Sequence, residues 1–206
     1  MFRHTCNTAD SRDELKKSGI SASVAPFPAS GLACLVGLTV PPEPVVGIYA
    51  PTAHYHDEVI PQLAVQFPDI CFFVTGITEQ ESLQVGNIRV IGKGMYDKRG
   101  YYGAVSVVIR MTKHDSLPRT LIEAMVARRH IITNVRMPAG EDGVELERTE
   151  PDFRSISKVL DKLISGGGWK ELADEKRQKF WLGQSDYGKY RETVHEMFQD
   201  DIVIVP

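Results

Sequence analysis

From residue 45 onward, short apolar runs alternate with amphipathic stretches. Val45–Tyr49 (VVGIY) is apolar throughout and predicts a buried strand. Residues 57–67 place Val59, Ile60, Leu63, Ala64 and Phe67 at helical spacing, with Pro61 acceptable only in a first turn. Residues 70–74 (ICFFV), 88–91 (IRVI), 105–109 (VSVVI) and 130–135 predict four further strands. Residues 118–129 predict a helix with Leu121, Ile122, Met125 and Val126 on one face and a proline in its first turn. Strands of this kind alternating with helices argue an α/β domain, a doubly wound parallel sheet with helices on both faces. Beyond Gly140 the pattern turns helical over residues 152–164, 169–182 and 185–198, a helical C-terminal extension.

The first 44 residues follow different rules. Residues 8–18 predict a short helix, capped by Thr8 or Asp10, with acids early, lysines late and Gly19 as the stop. Residues 20–45 hold Pro26, Pro28, Pro41, Pro42 and Pro44 around an apolar stretch at 32–40. Prolines this dense break helix and central strand alike, which predicts an extended connector. The domain boundary is expected near Pro44: 1–44 as N-terminal helix and connector, 45–206 as the main domain.

Composition narrows the classes. At 42% hydrophobic and 25% charged residues the chain is of the soluble globular kind. Its 206 residues correspond to about 1.4 domains. A net charge of −3 gives no bulk attraction for nucleic acid, so none is expected as a partner. Cys6, Cys34 and Cys71 are odd in number and widely spaced, as in a reduced cytoplasmic protein. No secretory signal core and no membrane-length apolar run is present in the sequence.

In sheets of this type ligands sit outside the carboxyl ends of the strands, which singles out the loops at 50–57, 76–87, 92–98 and 110–118. The stretch from Val107 to Val135 is the most informative. A strand ends in a polar loop, a proline opens a helix bearing Glu123-Ala124-Met125, and a strand follows at once. Asp115 precedes the helix and Glu123 lies inside it, seven residues intervening, so two acids in unlike settings face one crevice. The N–H groups near 116–119 form an anion site suited to a phosphate.

This stretch resembles the donor-binding half of GT-B fold glycosyltransferases, the large retaining family that uses nucleotide sugars. The matching features are Asp115, seven residues, then Glu123-Ala124-Met125, and the strand His130-Ile131-Ile132-Thr133. The family most often has Glu as the first acid. Residues 114–119 (HDSLPR) fit a His-Asp-Gly/Ser-Leu-Pro-Arg variant. The likeness extends more loosely over 45–198, including the aromatic-bearing 186–190 segment, and residues 8–28 look like the end of a preceding acceptor domain. It implies a Rossmann-like domain that binds a nucleoside-diphosphate sugar.

The same resemblance implies roles. Glu123 would bond the ribose hydroxyls, and Asp115 would lie beside the donor sugar, with His114 as a further catalytic candidate. Amides around Ser116, Leu117 and Pro118 would hold the diphosphate, and Gly92 and Lys93 would border the base. Many family members carry an Arg and a Lys after the first strand; here residues 50–57, including Thr52 and His54, have neither. His54 or His56 would donate only when protonated, and Arg110 or Lys113 would substitute.

Plainer readings stand beside these. Glu123 would pair at the surface with Arg119 or Arg128, and Asp115 would cap the helix. His114 would be a loop histidine, and Gly92-Lys93-Gly94 a turn. Tyr96, Tyr101 and Tyr102 would pack against the sheet or stack on a base. His54 and His56 lack a third ligand, so no metal is expected. Residues 170–179 interleave both charges and read as a solvated helix face.

The expected function is that of a glycosyltransferase donor domain, with the nucleotide sugar as substrate and no cofactor. Two doubly wound domains need on the order of 350 residues, so the acceptor-binding domain or partner subunit is expected outside this chain. Any peripheral membrane contact would come through that missing half only, and residues 32–40 are expected to be exposed as a docking patch. The alternatives are a non-catalytic interaction or sensing module and, more weakly, a nucleotide-sugar epimerase half.

Overall fold

The computed structural model describes residues 4–6, 9–24, 31–50, 59–76, 85–91, 97–112, 118–135 and 147–184. Near the N-terminus, strands β1 (His4–Cys6) and β2 (Ala22–Val24) pair in parallel, connected through helix α1 (Ala9–Lys17). The expected helix is present, with a strand after it as the resemblance implies; the strand before it is new. Helix α1 ends as the glycine predicts. Gly19 takes φ 75°, its N–H donates to the Lys16 carbonyl at 3.0 Å, and Ile20 N–H to the Leu15 carbonyl at 2.9 Å.

The main unit is a six-stranded, all-parallel sheet in the order β5-β4-β3-β6-β7-β8. Its strands are β3 (Val45–Tyr49), β4 (Cys71–Thr75), β5 (Ile88–Ile91), β6 (Val107–Arg110), β7 (His130–Thr133) and β8 (Glu147–Arg148). The chain runs outward from β3 to β5, crosses back to β6 beside β3, and continues outward to β8. The doubly wound sheet is the expected one, with β6 beginning two residues later than expected and β8 unforeseen.

Alternation within the strands separates two cores. On one face Val46, Ile48, Phe72, Val74, Val107 and Ile109 meet α2 (Ile60–Gln66) and α5 (Phe153–Ser165). On the other, Val108 and Ile131 meet α3 (Lys98–Ala104), α4 (Arg119–Val126) and Trp181 of α6 (Glu175–Gln184). Pro61 falls at the start of α2, where a missing N–H costs nothing. Asp152 caps α5 by accepting from the Ser155 N–H at 2.9 Å. Asn87 ties the end of α2 to β4: its Nδ2 lies within 3.0 Å of the carbonyls of Ala64, Phe67 and Ile70.

Three expectations change. Residues 32–40 are exposed only in part: Val36 is 41% exposed, but Leu32 and Leu35 are fully buried in the core beside α3 and α4, around a short 3-10 turn at Ala33–Leu35. Arginines strap this stretch down. Arg99 Nη1 donates to the Cys34 carbonyl, and Arg129 Nη2 to the Thr39 carbonyl at 2.9 Å. Residues 169–182 are not one helix but a 3-10 turn at Gly168–Lys170 followed by α6, because the 171–174 stretch leaves the helix to pair with Arg128. Within 170–179 the charged face is solvated except for Arg177, which is buried. The helix expected at 185–198 lies outside the described residues.

Candidate functional site

All six strands are parallel, so their carboxyl ends share one edge, and the winding direction reverses between β3 and β6. In sheets of this type loops leaving adjacent strands part at such a reversal, and the crevice there is the usual ligand position. Tyr49 ends β3 and Arg110 ends β6, one step beyond the Ile48–Ile109 pair. Arg110 is only 3% exposed. Its Nη1 donates to the Tyr49 carbonyl at 3.2 Å, and its Cζ lies 4.7 Å from the centroid of the Tyr49 ring. Ring and carbonyl together fix the guanidinium plane, which a flexible lysine would not achieve.

The backbone beneath is clamped as well. Thr133 Oγ1 donates to the Arg110 carbonyl at 2.7 Å. Thr112 N–H donates to Asn134 Oδ1 at 3.1 Å, and Asn134 Nδ2 returns a bond to the Thr112 carbonyl at 2.8 Å. The ends of β6 and β7 are therefore braced against each other just before segment 113–117 of the sequence.

Helix α4 follows that segment. Pro118 is its N-cap residue, so the proline stands just before the helix and not within its first turn. The cap position accordingly belongs to Pro118, not to Asp115, and it makes no side-chain cap bond. Glu123 sits one and a half turns further on and is 2% exposed. Its Oε1 lies 2.7 Å from Lys98 Nζ and 3.0 Å from Arg119 Nε. The Tyr102 hydroxyl is 3.2 Å from Oε2 and 3.0 Å from the Thr120 carbonyl.

The ion pair between Glu123 and Arg119 thus forms, but in a buried place and not on an open surface. The Arg128 pair does not: Arg128 Nε donates to the Ala173 carbonyl at 2.8 Å. Lys98 and Tyr102 are partners that sequence reasoning missed, because α3, which carries both, was not foreseen. Asp97 was the available signal: its carboxylate accepts from the Arg99 N–H at 3.2 Å and the Gly100 N–H at 2.9 Å, a helix cap. Tyr101 and Tyr102 are core residues, edge to face at 5.1 Å, and Tyr102 reaches the site only through its hydroxyl.

Of the expected site residues, the structure describes Arg110, Pro118 and Glu123. Thr52, His54, His56, Gly92, Lys93, Tyr96, Lys113, His114, Asp115, Ser116 and Leu117 lie outside the described residues. Among the described residues no cluster of three or more His, Cys, Asp or Glu side chains is placed to hold a metal ion. No described helix is long and apolar enough to cross a membrane.

No family model matches the chain, and no curated protein matches it in sequence. The likeness lies in the fold, which is that of GT-B glycosyltransferases. The chain is similar to sucrose-phosphate synthase from Thermosynechococcus elongatus, with a TM-score of 0.72 and 12% identity, covering 98% of this chain and 59% of that one. It is similar to the pneumococcal O-GlcNAc transferase GtfA, solved in complex with UDP and GlcNAc, with a TM-score of 0.68 and 14% identity, covering 96% and 45%. A third is the UDP-forming trehalose-phosphate synthase from Burkholderia vietnamiensis, with a TM-score of 0.60 and 11% identity, covering 96% and 60%. The chain therefore spans between 45% and 60% of the length of these three structures.

Proposed function

We propose that this chain is the donor-binding half of a glycosyltransferase and holds a nucleoside-diphosphate sugar in the crevice between β3 and β6. The buried Arg110 at the winding reversal carries the reading. Glycosyl transfer breaks the bond between the sugar's anomeric carbon and the diphosphate oxygen, and the leaving diphosphate takes the electron pair. A fixed cation beside it stabilises that charge without reorganising. Arg110 supplies one where residues 50–57 bring neither Arg nor Lys. In this reading Glu123 accepts the ribose hydroxyls, and the N–H groups of Ser116, Leu117 and the first turn of α4 hold the diphosphate. Asp115 and His114 stand by the donor sugar, Lys113, Thr52 and His54 line the phosphate side, and Gly92 and Lys93 border the base.

The acceptor would be bound by a domain or subunit outside this chain, with 45–206 as the nucleotide-sugar unit. GtfA, solved in a GtfA/B complex, offers a precedent for a transferase fold that works beside a partner. Calorimetric titration with UDP, GDP and their sugars tests the proposal. Saturable binding of at least one is expected, without transfer by the chain alone. No heat and no thermal protection from any of them would overturn it.

The missing basic pair in residues 50–57 favours a second reading, a module that binds nucleotide sugars without transferring them. Transferase activity of the whole assembly, lost on Glu123→Ala, excludes that reading.

A further inference from the structure

We infer that Lys98 is a positioning residue that sets the pocket's selectivity for ribose by holding Glu123; this rests on the nucleotide-binding reading above. Lys98 opens α3, whose start is fixed by the Asp97 cap, so its side chain leaves from a defined point. It reaches across to a different helix and meets Glu123 Oε1 at 2.7 Å. Arg119 Nε shares that oxygen at 3.0 Å. Arg119 is on Glu123's own helix and more exposed than Lys98, so its i,i+4 contact holds the carboxylate less firmly. The cross-helix contact from Lys98 therefore pins the carboxylate plane.

The two oxygens are unequally supplied. Among the described residues, Oε1 faces two cations, whereas Oε2 faces the Tyr102 hydroxyl. That hydroxyl has one proton, and the Thr120 carbonyl is the nearer acceptor at 3.0 Å. A carboxylate oxygen accepts two hydrogen bonds, so Oε2 retains capacity for a hydroxyl donor, and a ribose diol carries two. By occupying Oε1, Lys98 leaves Oε2 as the acceptor for the diol. A lysine that merely covered the carboxylate would compete with the diol, and its removal would tighten binding. The two roles differ in sign.

The test is calorimetric binding of UDP against 2′,3′-dideoxy-UDP, and of GDP against its dideoxy form. The wild type is expected to prefer the ribose form by on the order of tenfold or more, the worth of a hydrogen bond to a charged group. Lys98→Met and Lys98→Gln should lose most of that preference, and Lys98→Arg should keep it. Gln retains a polar donor, so the result does not depend on Met folding well. A wild type that binds neither nucleotide overturns this inference together with the functional reading. A wild type that binds without ribose preference overturns the inference. Variants with unchanged preference, or with tighter ribose binding, overturn it while leaving the functional reading intact.

Discussion

The Arg110 guanidinium lies over the Tyr49 ring and donates to the same residue's carbonyl, so one side chain joins β3 and β6 where the winding of the sheet reverses. If its charge serves a diphosphate, its removal should act on phosphate and not on nucleoside. Arg110→Met is expected to weaken UDP binding by about tenfold or more, since a hydrogen bond to a charged group is lost. Uridine binding should change by less than about threefold, within the scatter of such contacts. Equal losses for both ligands in competition calorimetry would show that Arg110 only shapes the pocket.

Gly47 in β3 is what lets α3 approach the sheet. A Cβ built there overlaps the Tyr101 hydroxyl and comes within 2.9 Å of its Cζ and 3.1 Å of Val105 Cγ1. Gly47→Ala should destabilise by about 1–3 kcal/mol, as overpacking does. In a Tyr101→Ala background the same change should cost clearly less, a coupling that urea denaturation of the double-mutant cycle measures.

Leu35 tests whether the connector belongs to the core. It is completely buried among residues of α3 and α4. Leu35→Ala should cost about 2–5 kcal/mol, as for a core leucine. A change below about 0.5 kcal/mol in the denaturation midpoint analysis, the range of surface substitutions, would place it outside the cooperative unit.

Helix α4 ends with the same backbone bonds as α1, but with Arg128 at φ 55° where α1 has a glycine. The left-handed conformation costs a non-glycine residue about 1–2 kcal/mol. The side chain offsets this by bonding the Ala173 carbonyl, while Ala173 N–H returns a bond to the Arg128 carbonyl at 3.0 Å. Arg128→Ala loses the bond and keeps the strain; Arg128→Gly loses both. Guanidinium denaturation should therefore rank Gly above Ala by about 1 kcal/mol.

Burial holds His130 below the usual imidazole range, partly opposed by its contact with the Glu171 carbonyl at 3.0 Å. The unfolded chain takes up this proton near pH 6.5, more readily than the folded one. Stability is therefore lost as the pH falls below about 6.5 toward the lower folded value, and is unaffected by this group above it. Thermal unfolding at pH 7.5 and 5.5 should show a smaller drop for His130→Gln than for the wild type.

The sheet was legible because its strands are apolar on both faces and bounded by turns. Val45–Tyr49 and Ile88–Ile91 emerge with the boundaries that their sequence predicts. Helix α3 was not, since Lys98–Ala104 carries two glycines in seven residues and little intrinsic helix preference. Its helicity comes from the Asp97 cap and from burying Tyr101 and Tyr102, a tertiary effect. β8 escaped notice because Glu147–Arg148 is a short polar edge strand. The proline-rich connector misled in the other direction. Prolines exclude regular elements at 20–45, yet they do not stop Leu32 and Leu35 from entering the core. In the site, Glu123 was visible through its spacing to Asp115. Its Arg119 partner was legible from the i,i+4 spacing, whereas Lys98 depends on where α3 docks, which no local pattern encodes.

The all-parallel order of the sheet divides the labour within this chain. Segments 51–58, 77–84, 92–96, 113–117 and 136–146 all follow the carboxyl end of a strand, so each departs from the same edge. The described helices and both described cores lie on the faces of the sheet. A change of ligand chemistry would be met at that edge, whereas changes on the faces would alter the packing of the described cores. Selection for a new ligand and selection for foldability would then act on largely separate stretches of the same gene.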